Sequence, residues 1–175
     1  HKVIYGNAFE ERTLHRAEID TRKGIISLTA NEEVNLLFAQ KAKEEGKVPN
    51  LLISLESGDE GVTTEMVHEF GGAVLFARPR DLEVWSVRLK QEQTELQIRE
   101  LTGHNIDEQE LGDTTMENLV LPLVFHYNEK VIPVDDHIKL KRKDRVTFLI
   151  NLRRREEAEE WFERNGWRSD GISPT

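Results

Sequence analysis

The chain has 175 residues, of which 37% are hydrophobic and 33% are charged, and its formal net charge is −9. This length and apolar content allow one globular domain or two small lobes. The absence of cysteine excludes disulfides, thiolate zinc sites and cysteine nucleophiles. Because the net charge opposes non-specific attraction to phosphates, we expect no nucleic-acid partner.

Apolar runs in the sequence are short. The longest, at residues 119–125 and 146–150, are far below the roughly 20 residues that a membrane-spanning helix needs. We therefore expect no direct membrane insertion by this chain, and a soluble α/β protein. The start of the chain has neither an initiator methionine nor a signal-peptide layout, which indicates a piece of a longer polypeptide.

The first 81 residues alternate short apolar runs with segments of helical period, which is typical of βα units and a mainly parallel sheet. The helix that ends at Gly46 is capped by Asn31 or Thr29, and a later helix is capped by Thr63 or Thr64. Strands are predicted at residues 3–5, 24–28, 51–55 and 73–76, and a polar loop at 57–61. Helices are predicted at 10–17, from the cap at Thr29 or Asn31 to Gly46, and from the cap at Thr63 or Thr64 to the stop at Gly71.

From residue 82 the pattern changes to period two, which predicts antiparallel strands. A hairpin is predicted at 82–89 and 94–99, then a loop at 102–117, and a strand at 119–125 in which Pro122 indicates an edge or a bulge. Further strands follow at 130–133 and 145–150, with a turn at 135–136 between them. The final helix, at 154–165, has Ala158, Trp161 and Phe162 on its apolar face and Gly166 after its end.

Groupings typical of catalysis are missing from the sequence. The histidines are scattered, and none pairs with another at the spacing of helical metal ligands. Residues 135–137, Asp-Asp-His, could bind a divalent ion, but they also suit a turn in which aspartate accepts from its own backbone. The basic stretch 139–143 suits a solvated turn. We therefore predict no catalytic site, no metal site and no enzymatic activity.

Two polar segments follow predicted strands, at residues 6–8 and 28–35. In a doubly wound sheet, ligands bind outside the carboxyl ends of the strands, and backbone amides at the second segment could meet a polar ligand. Any βα junction offers such spacings, so they identify no ligand by themselves. Asn35, one turn into the helix, has the alternative role of holding that helix in place.

A family resemblance is carried by these same residues. The string Tyr5-Gly6-Asn7-Ala8, the strand ending in Thr29 and the helix start at 31–37 resemble the nucleotide-binding lobe of TrkA-type regulators, also called RCK domains. Residues 131–133 and 141–146 resemble the hairpin of the C-terminal lobe in such regulators. The fold class implied is α/β, with a truncated Rossmann-like (TrkA-N/RCK) lobe at 1–81. A small β-rich α+β (TrkA-C-like) lobe follows at 82–168, with a tail at 169–175.

Residues 71–87 resemble the cytosolic tail of sodium/proton antiporters that carry such a domain. This implies a ligand-sensing, gating regulatory domain of a monovalent cation/proton antiporter on the cytoplasmic side of the cell membrane. The implied partners are the transmembrane antiporter domain of the same polypeptide and a second copy in a homodimer. The ligand is unknown, an adenine nucleotide or NAD being possible, and the implied cofactor-binding residues are Asn7, Ala8, Thr29, Asn31 and Glu33.

The sequence departs from the family pattern at three places. It contains no Gly-x-Gly-x-x-Gly turn, and Asn7 stands where the family has aspartate. Residues 78–80 lead almost directly into the predicted hairpin, leaving little room for the helix that usually crosses to the partner subunit. The strand at 3–5 is expected to pair with another copy or an upstream segment. A ligand-independent assembly module and a nicotinamide-dependent enzyme are the alternative functions.

Overall fold

The chain folds as two units, residues 1–75 and 76–175. A computed structural model describes residues 3–56, 61–102, 109–111, 114–128 and 130–169. The first unit contains a parallel sheet and the second an antiparallel one, which confirms the predicted fold class. Across these described ranges, no helix has the length and apolar character that crossing a membrane requires.

The first unit is built from βα connections around a parallel sheet. Within its described residues the strand order is β1-β2-β3, with Ile25 opposite Leu51 and Ile53 opposite Val74. The elements are α1 (Glu11–Arg16), β1 (Gly24–Ser27), α2 (Glu32–Gly46), β2 (Asn50–Ile53), α3 (Thr64–Phe70) and β3 (Ala73–Val74). The predicted helices and the last three predicted strands are confirmed, although the strands are shorter than expected.

Helix α2 begins and packs as its sequence predicts. The Asn31 side chain accepts a hydrogen bond from the amide of Val34, so Asn31 is the N-cap. Ala39 and Ala42 are fully buried, and their small side chains let the helix approach the strands closely. Thr63 caps α3, which ends at Gly71 with φ +86°, a conformation that favours glycine.

Residues 3–5 form no strand within this chain, and their predicted pairing with another copy or an upstream segment stays a prediction. Val3 and Tyr5 are 70% and 86% exposed, and the segment has no regular structure. A strand needs a neighbour for its backbone groups, and among the described residues β1 is hydrogen-bonded only to β2. An apolar tripeptide alone cannot supply that pairing.

The second unit is mainly antiparallel. Among its described residues, five strands are ordered β10-β4-β9-β6-β7, and a separate short pair joins β5 to β8. The elements are α4 (Leu82–Lys90), β4 (Thr94–Leu101), β5 (Gln109–Glu110), β6 (Val120–Tyr127), β7 (Lys130–Pro133), β8 (Lys139–Leu140), β9 (Arg145–Asn151), α5 (Arg155–Arg164) and β10 (Trp167–Ser169). Short 3₁₀ turns occur at Ile19–Thr21, Thr114–Met116 and Leu152–Arg154.

Residues 82–89 form a helix, so the first strand of the predicted hairpin is wrong. The Asp81 side chain caps α4 by accepting from the amide of Val84 at 2.9 Å. Trp85 is buried against Leu121 and Leu149, and Leu82 packs one turn earlier on the same cluster. The short apolar string fits period two as well as helical spacing, and only the aspartate cap favours the helix. The expectation that residues 78–80 leave little room for a helix before the next strand is therefore wrong, since α4 occupies Leu82–Lys90.

Strand β6 contains the predicted irregularity at proline. Its pairing with β9 shifts register between Pro122 and Val124, since Pro122 has no N–H to donate. The bulge is thus confirmed, whereas the edge alternative is wrong because β6 lies between β9 and β7. The predicted loop at 102–117 contains the short strand β5 and the turn Thr114–Met116.

An aromatic core lies between the antiparallel sheet and α5. Phe148 is fully buried and meets Phe162 and Trp167 edge to face, with ring centroids 5.2 and 5.0 Å apart. Ala158, Trp161 and Phe162 are buried on α5, as the apolar spacing predicts. Gly166 follows the helix with φ +71°. Most of the predicted loop at 57–61 and of the tail at 169–175 lies outside the described residues.

Candidate functional site

The carboxyl ends of β1 and β2 are joined by one buried amide. The Asn35 side chain has no exposed surface, and its Oδ1 accepts from the backbone N–H of Thr29 at 2.9 Å and from the Ser27 hydroxyl at 3.3 Å. Its Nδ2 donates to the carbonyl oxygens of Thr29 and Ser54, each at 3.0 Å. Asn35 therefore fixes the start of α2 to both strand ends. This agrees with the alternative prediction that Asn35 holds the helix in place.

The turn between β1 and α2 is held by further side-chain hydrogen bonds. Thr29 Oγ1 donates to Asn35 Oδ1 at 2.8 Å, and it also accepts from the backbone N–H of Asn31 at 3.2 Å. Asn31 Oδ1 accepts from Val34 N at 2.7 Å. The predicted residues Thr29 and Asn31 thus lie together in one hydrogen-bonded turn at the carboxyl edge of the sheet.

Two carboxylates lie beside this turn. Glu32 Oε1 accepts from the backbone N–H of Glu56, after β2, at 2.5 Å, and Glu33 is exposed. A methyl group placed on Gly61 would lie 3.4 Å from Glu33 Oε1 and 3.5 Å from Glu32 Oε2, so both carboxylates face the backbone there. Carboxylates only accept hydrogen bonds. The residues present therefore fit a ligand group with hydroxyl donors, such as ribose, and oppose a phosphate.

Asn7 and Ala8 are placed differently from the prediction that they follow a strand. The exposed Asn7 side chain accepts from Phe9 N at 2.9 Å, forming a local turn before α1, and Ala8 is half-buried. Within the described residues, no hydrogen bond joins Asn7 or Ala8 to Thr29, Asn31 or Glu33. Whether these residues hold a cofactor stays a prediction.

Sequence reasoning missed the serines at this edge. Ser27 and Ser54 are 3% and 4% exposed, and each contributes a polar atom to the Asn35 network. A serine directly after an apolar run, repeated in two neighbouring strands, was the available signal. Small polar residues at that position let a side chain from the following helix reach both strand ends.

The turn after β7 has a local structural role. Asp135 Oδ1 accepts from the backbone N–H of His137 at 3.0 Å, which is the aspartate turn that the sequence suggested. Partial burial raises the pKa of the Asp135 carboxyl, and the nearby Asp136 raises it further, against the opposing effects of the hydrogen bond and of His137.

We expect this raised pKa to make the second unit less stable as the pH rises. A carboxyl whose folded pKa exceeds its unfolded value adds stability below the unfolded pKa, and that stability is lost as the pH passes the folded pKa. Asp135→Asn keeps the acceptor for His137 N but does not titrate. Melting temperatures between about pH 3.5 and 7 should therefore fall less for Asp135→Asn than for the original chain, and parallel curves would contradict the assignment.

Comparison with known proteins found a family model that matches part of the chain and several similar solved structures. The family model described as the TrkA-N domain matches residues 1–69, which confirms the TrkA-N resemblance for that part of the chain. A search of curated proteins found no significant match.

The solved structures include the crystal structure of the GsuK RCK domain, with 16% identity and a TM-score of 0.38, covering 94% of this chain and 37% of that one. The GsuK channel bound to NAD has 15% identity and a TM-score of 0.38, covering 94% of this chain. The chain spans 31% of the length of that channel.

Proposed function

We propose that the chain is a ligand-sensing regulatory domain of a monovalent cation/proton antiporter, acting on the cytoplasmic side of the membrane. The TrkA-N match over residues 1–69 supports a regulatory domain. The string at 71–87, which resembles antiporter tails, supports the antiporter as the transport partner in the same polypeptide. The proposal is a binding function rather than catalysis.

The observation that carries the proposal is the Asn35 network. It ties the turn at Thr29 to the ends of β1 and β2, which is the edge where open α/β sheets bind ligands. A ligand shifts a conformational equilibrium only by its difference in affinity for the two states. Because this turn is hydrogen-bonded to the ends of two strands and to a long helix, we expect ligand binding at residues 29–33 to affect the conformation of the whole first unit.

The acceptor groups at this edge indicate which part of a ligand they would contact. An adenine nucleotide or NAD presents ribose hydroxyls, and Glu33 together with the backbone of Thr29 and Asn31 would accept from them. When bound, such a ligand would supply hydroxyl and adenine groups for recognition, and it would not react. The carboxylates of Glu32 and Glu33 would favour a free hydroxyl over a phosphorylated one, since like charges repel at short distance.

Calorimetric titration with AMP, ATP, NAD and NADH tests the proposal. It should use this chain and a longer version extended upstream, and we expect at least one ligand to bind and to raise the melting temperature. Glu33→Gln should weaken that binding about tenfold, roughly 1.4 kcal/mol. Glu69→Gln, an equal charge change on exposed α3, should leave it unaltered. The absence of any heat with the longer version would contradict ligand sensing.

A ligand-independent assembly module is the second candidate. Helix α4 leaves Val87 and Leu89 exposed by 44% and 53%, apolar area that a second copy could cover. Light scattering would then show a dimer that depends on concentration, while none of the four nucleotides raises the melting temperature. A monomer at all concentrations would contradict this alternative.

A further inference from the structure

One row of side chains crosses the antiparallel sheet from edge to edge. His126 on β6 is directly opposite Val131 on β7 and Arg145 on β9. The row continues because Arg145 is opposite Glu100 on β4, and Glu100 is opposite Arg168 on β10. Directly opposed residues of antiparallel strands point to the same face, so these side chains share one face over about 19 Å.

This face is the one opposite α5. Val146, the neighbour of Arg145 along β9, belongs to the aromatic core with Phe148 and Trp161. Successive side chains of a strand alternate between faces, so Arg145 points away from that core. His126 is anchored on the same face by a 2.7 Å hydrogen bond between its Nε2 and the hydroxyl of Thr147.

Two concavities open along the row. The first has a volume of about 360 Å³ and is lined by His126, Asn128, Lys130, Val131 and Arg145. The second has a volume of about 150 Å³ and is lined by Glu100, Leu101, Thr102, Arg142, Lys143 and Arg168. We call the two together the basic groove.

The turn between β8 and β9 supplies part of the basic groove. Lys143 has φ +75°, and its N–H donates to the carbonyl of Leu101 at 2.7 Å, which holds the turn against β4. Asp144 Oδ2 closes the turn by accepting from Lys141 N at 2.7 Å. The basic stretch at 139–143, for which the sequence predicts a solvated turn, thus places Arg142 and Lys143 beside Arg168.

The charge of the groove is opposite to that of the chain. Its lining contains the basic side chains Lys130, Arg142, Lys143, Arg145 and Arg168. Glu100 is the acidic member, and the row places it between Arg145 and Arg168, which offset its charge. The whole chain carries a net charge of −9, so this concentration of positive charge is local rather than a property of the surface in general.

We propose that the basic groove binds a small ligand that carries linked phosphate groups. Arginine guanidinium groups bind phosphate oxygens through paired, charge-assisted hydrogen bonds, and lysines add point charge. Two cationic concavities along one row, the second of which also contains Glu100, suit a chain of phosphates better than a single carboxylate. This site is separate in sequence and chemistry from the carboxylate-rich edge at residues 29–33, which opposes phosphate.

Titration of the 175-residue protein with inorganic tripolyphosphate at low ionic strength tests the proposal, because this probe has no ribose or base for the other site. We expect binding that weakens with added salt. The triple variant Lys130→Gln, Arg142→Gln and Arg168→Gln should weaken it at least about tenfold. A control variant with the same change in charge is Arg12→Gln, Lys23→Gln and Arg153→Gln, which replaces exposed cations outside the groove and should bind as the original does.

Several results would overturn the proposal. One is that the original chain fails to bind tripolyphosphate. Another is that both triple variants lose the same amount of affinity, because binding would then depend on overall charge. Binding to phosphatidylglycerol vesicles without binding to tripolyphosphate would also overturn it, because the ligand would then be a membrane surface. Glu33→Gln should leave tripolyphosphate binding intact, so failure of this proposal and failure of the proposed nucleotide site can be told apart.

Discussion

Replacing Asn35 with alanine is expected to lower the free energy of unfolding of the first unit by about 3 kcal/mol. The change removes the acceptor of the Thr29 N–H and a donor to the buried carbonyl of Ser54. Buried polar groups left without partners cost about 1–3 kcal/mol each, which is more than the net value of a hydrogen bond. Urea denaturation followed by circular dichroism measures the loss.

The matched control is Asn50→Ala. Asn50 also donates its amide to a backbone carbonyl, that of Lys23, but this contact is exposed at the start of β2. Water can replace it, so we expect a loss below about 1 kcal/mol. Equal losses for the two variants would show that Asn35 is not the centre of the network.

Asn35→Asp separates hydrogen bonding from size. The carboxylate can still accept from Thr29 N and Ser27, but it cannot donate to the carbonyls of Thr29 and Ser54. Burial would raise the pKa of the introduced carboxyl, so the protonated form would be favoured in the folded state. The variant should therefore lose further stability as the pH rises above the usual aspartate range, a dependence that Asn35→Ala lacks.

Loss of the Asn35 network should also affect ligand binding in the first unit. The turn that holds Thr29 and Asn31 would no longer be fixed before the ligand arrives, and ordering it on binding reduces affinity. If the proposed function is correct, nucleotide affinity falls in Asn35→Ala while tripolyphosphate affinity in the second unit is unaltered. Titration of one variant with both probes makes this comparison.

Local signals accounted for most of the correct predictions from sequence. Helix α2 was predictable because its cap at Asn31, its apolar spacing and its end at Gly46 agree with one another. The bulge at Pro122 was predictable because proline cannot donate to a neighbouring strand. Each of these depends on a residue's own chemistry and on neighbours a few positions away.

The failures depend on contacts distant in sequence. The strand at 3–5 needed a neighbour that no local pattern supplies, and the helix at Leu82–Lys90 depends on Trp85 meeting Leu121 and Leu149. The same limit applies to the candidate sites. Thr29 and Asn31 could be placed at a strand end, whereas the alignment of Arg145, Glu100 and Arg168 in one row requires the strand order of the sheet.

Replacing Glu159 with alanine is expected to destabilise the second unit by about 3 kcal/mol. The Arg99 side chain is 7% exposed, lies 2.5 Å from Glu159 Oε1 and stacks over the Phe162 ring at 4.3 Å. Gln97 also accepts from Arg99, but it is neutral. Removing the carboxylate leaves a buried positive charge without its counter-charge, which is the unfavourable way to break a buried pair.

The effect of removing the other partner should be smaller. Glu159 is 38% exposed, so in Arg99→Met the remaining carboxylate is solvated while the methionine chain still packs on Phe162. The double variant Arg99→Met with Glu159→Ala should recover part of the loss, since no buried charge remains. Glu156→Ala, an exposed glutamate on the same helix, is the control and should change stability by less than about 0.5 kcal/mol. Urea denaturation monitored by tryptophan fluorescence measures all four variants, and an equal loss from Glu159→Ala and Glu156→Ala would show that the Arg99 charge is already compensated by water or by Gln97.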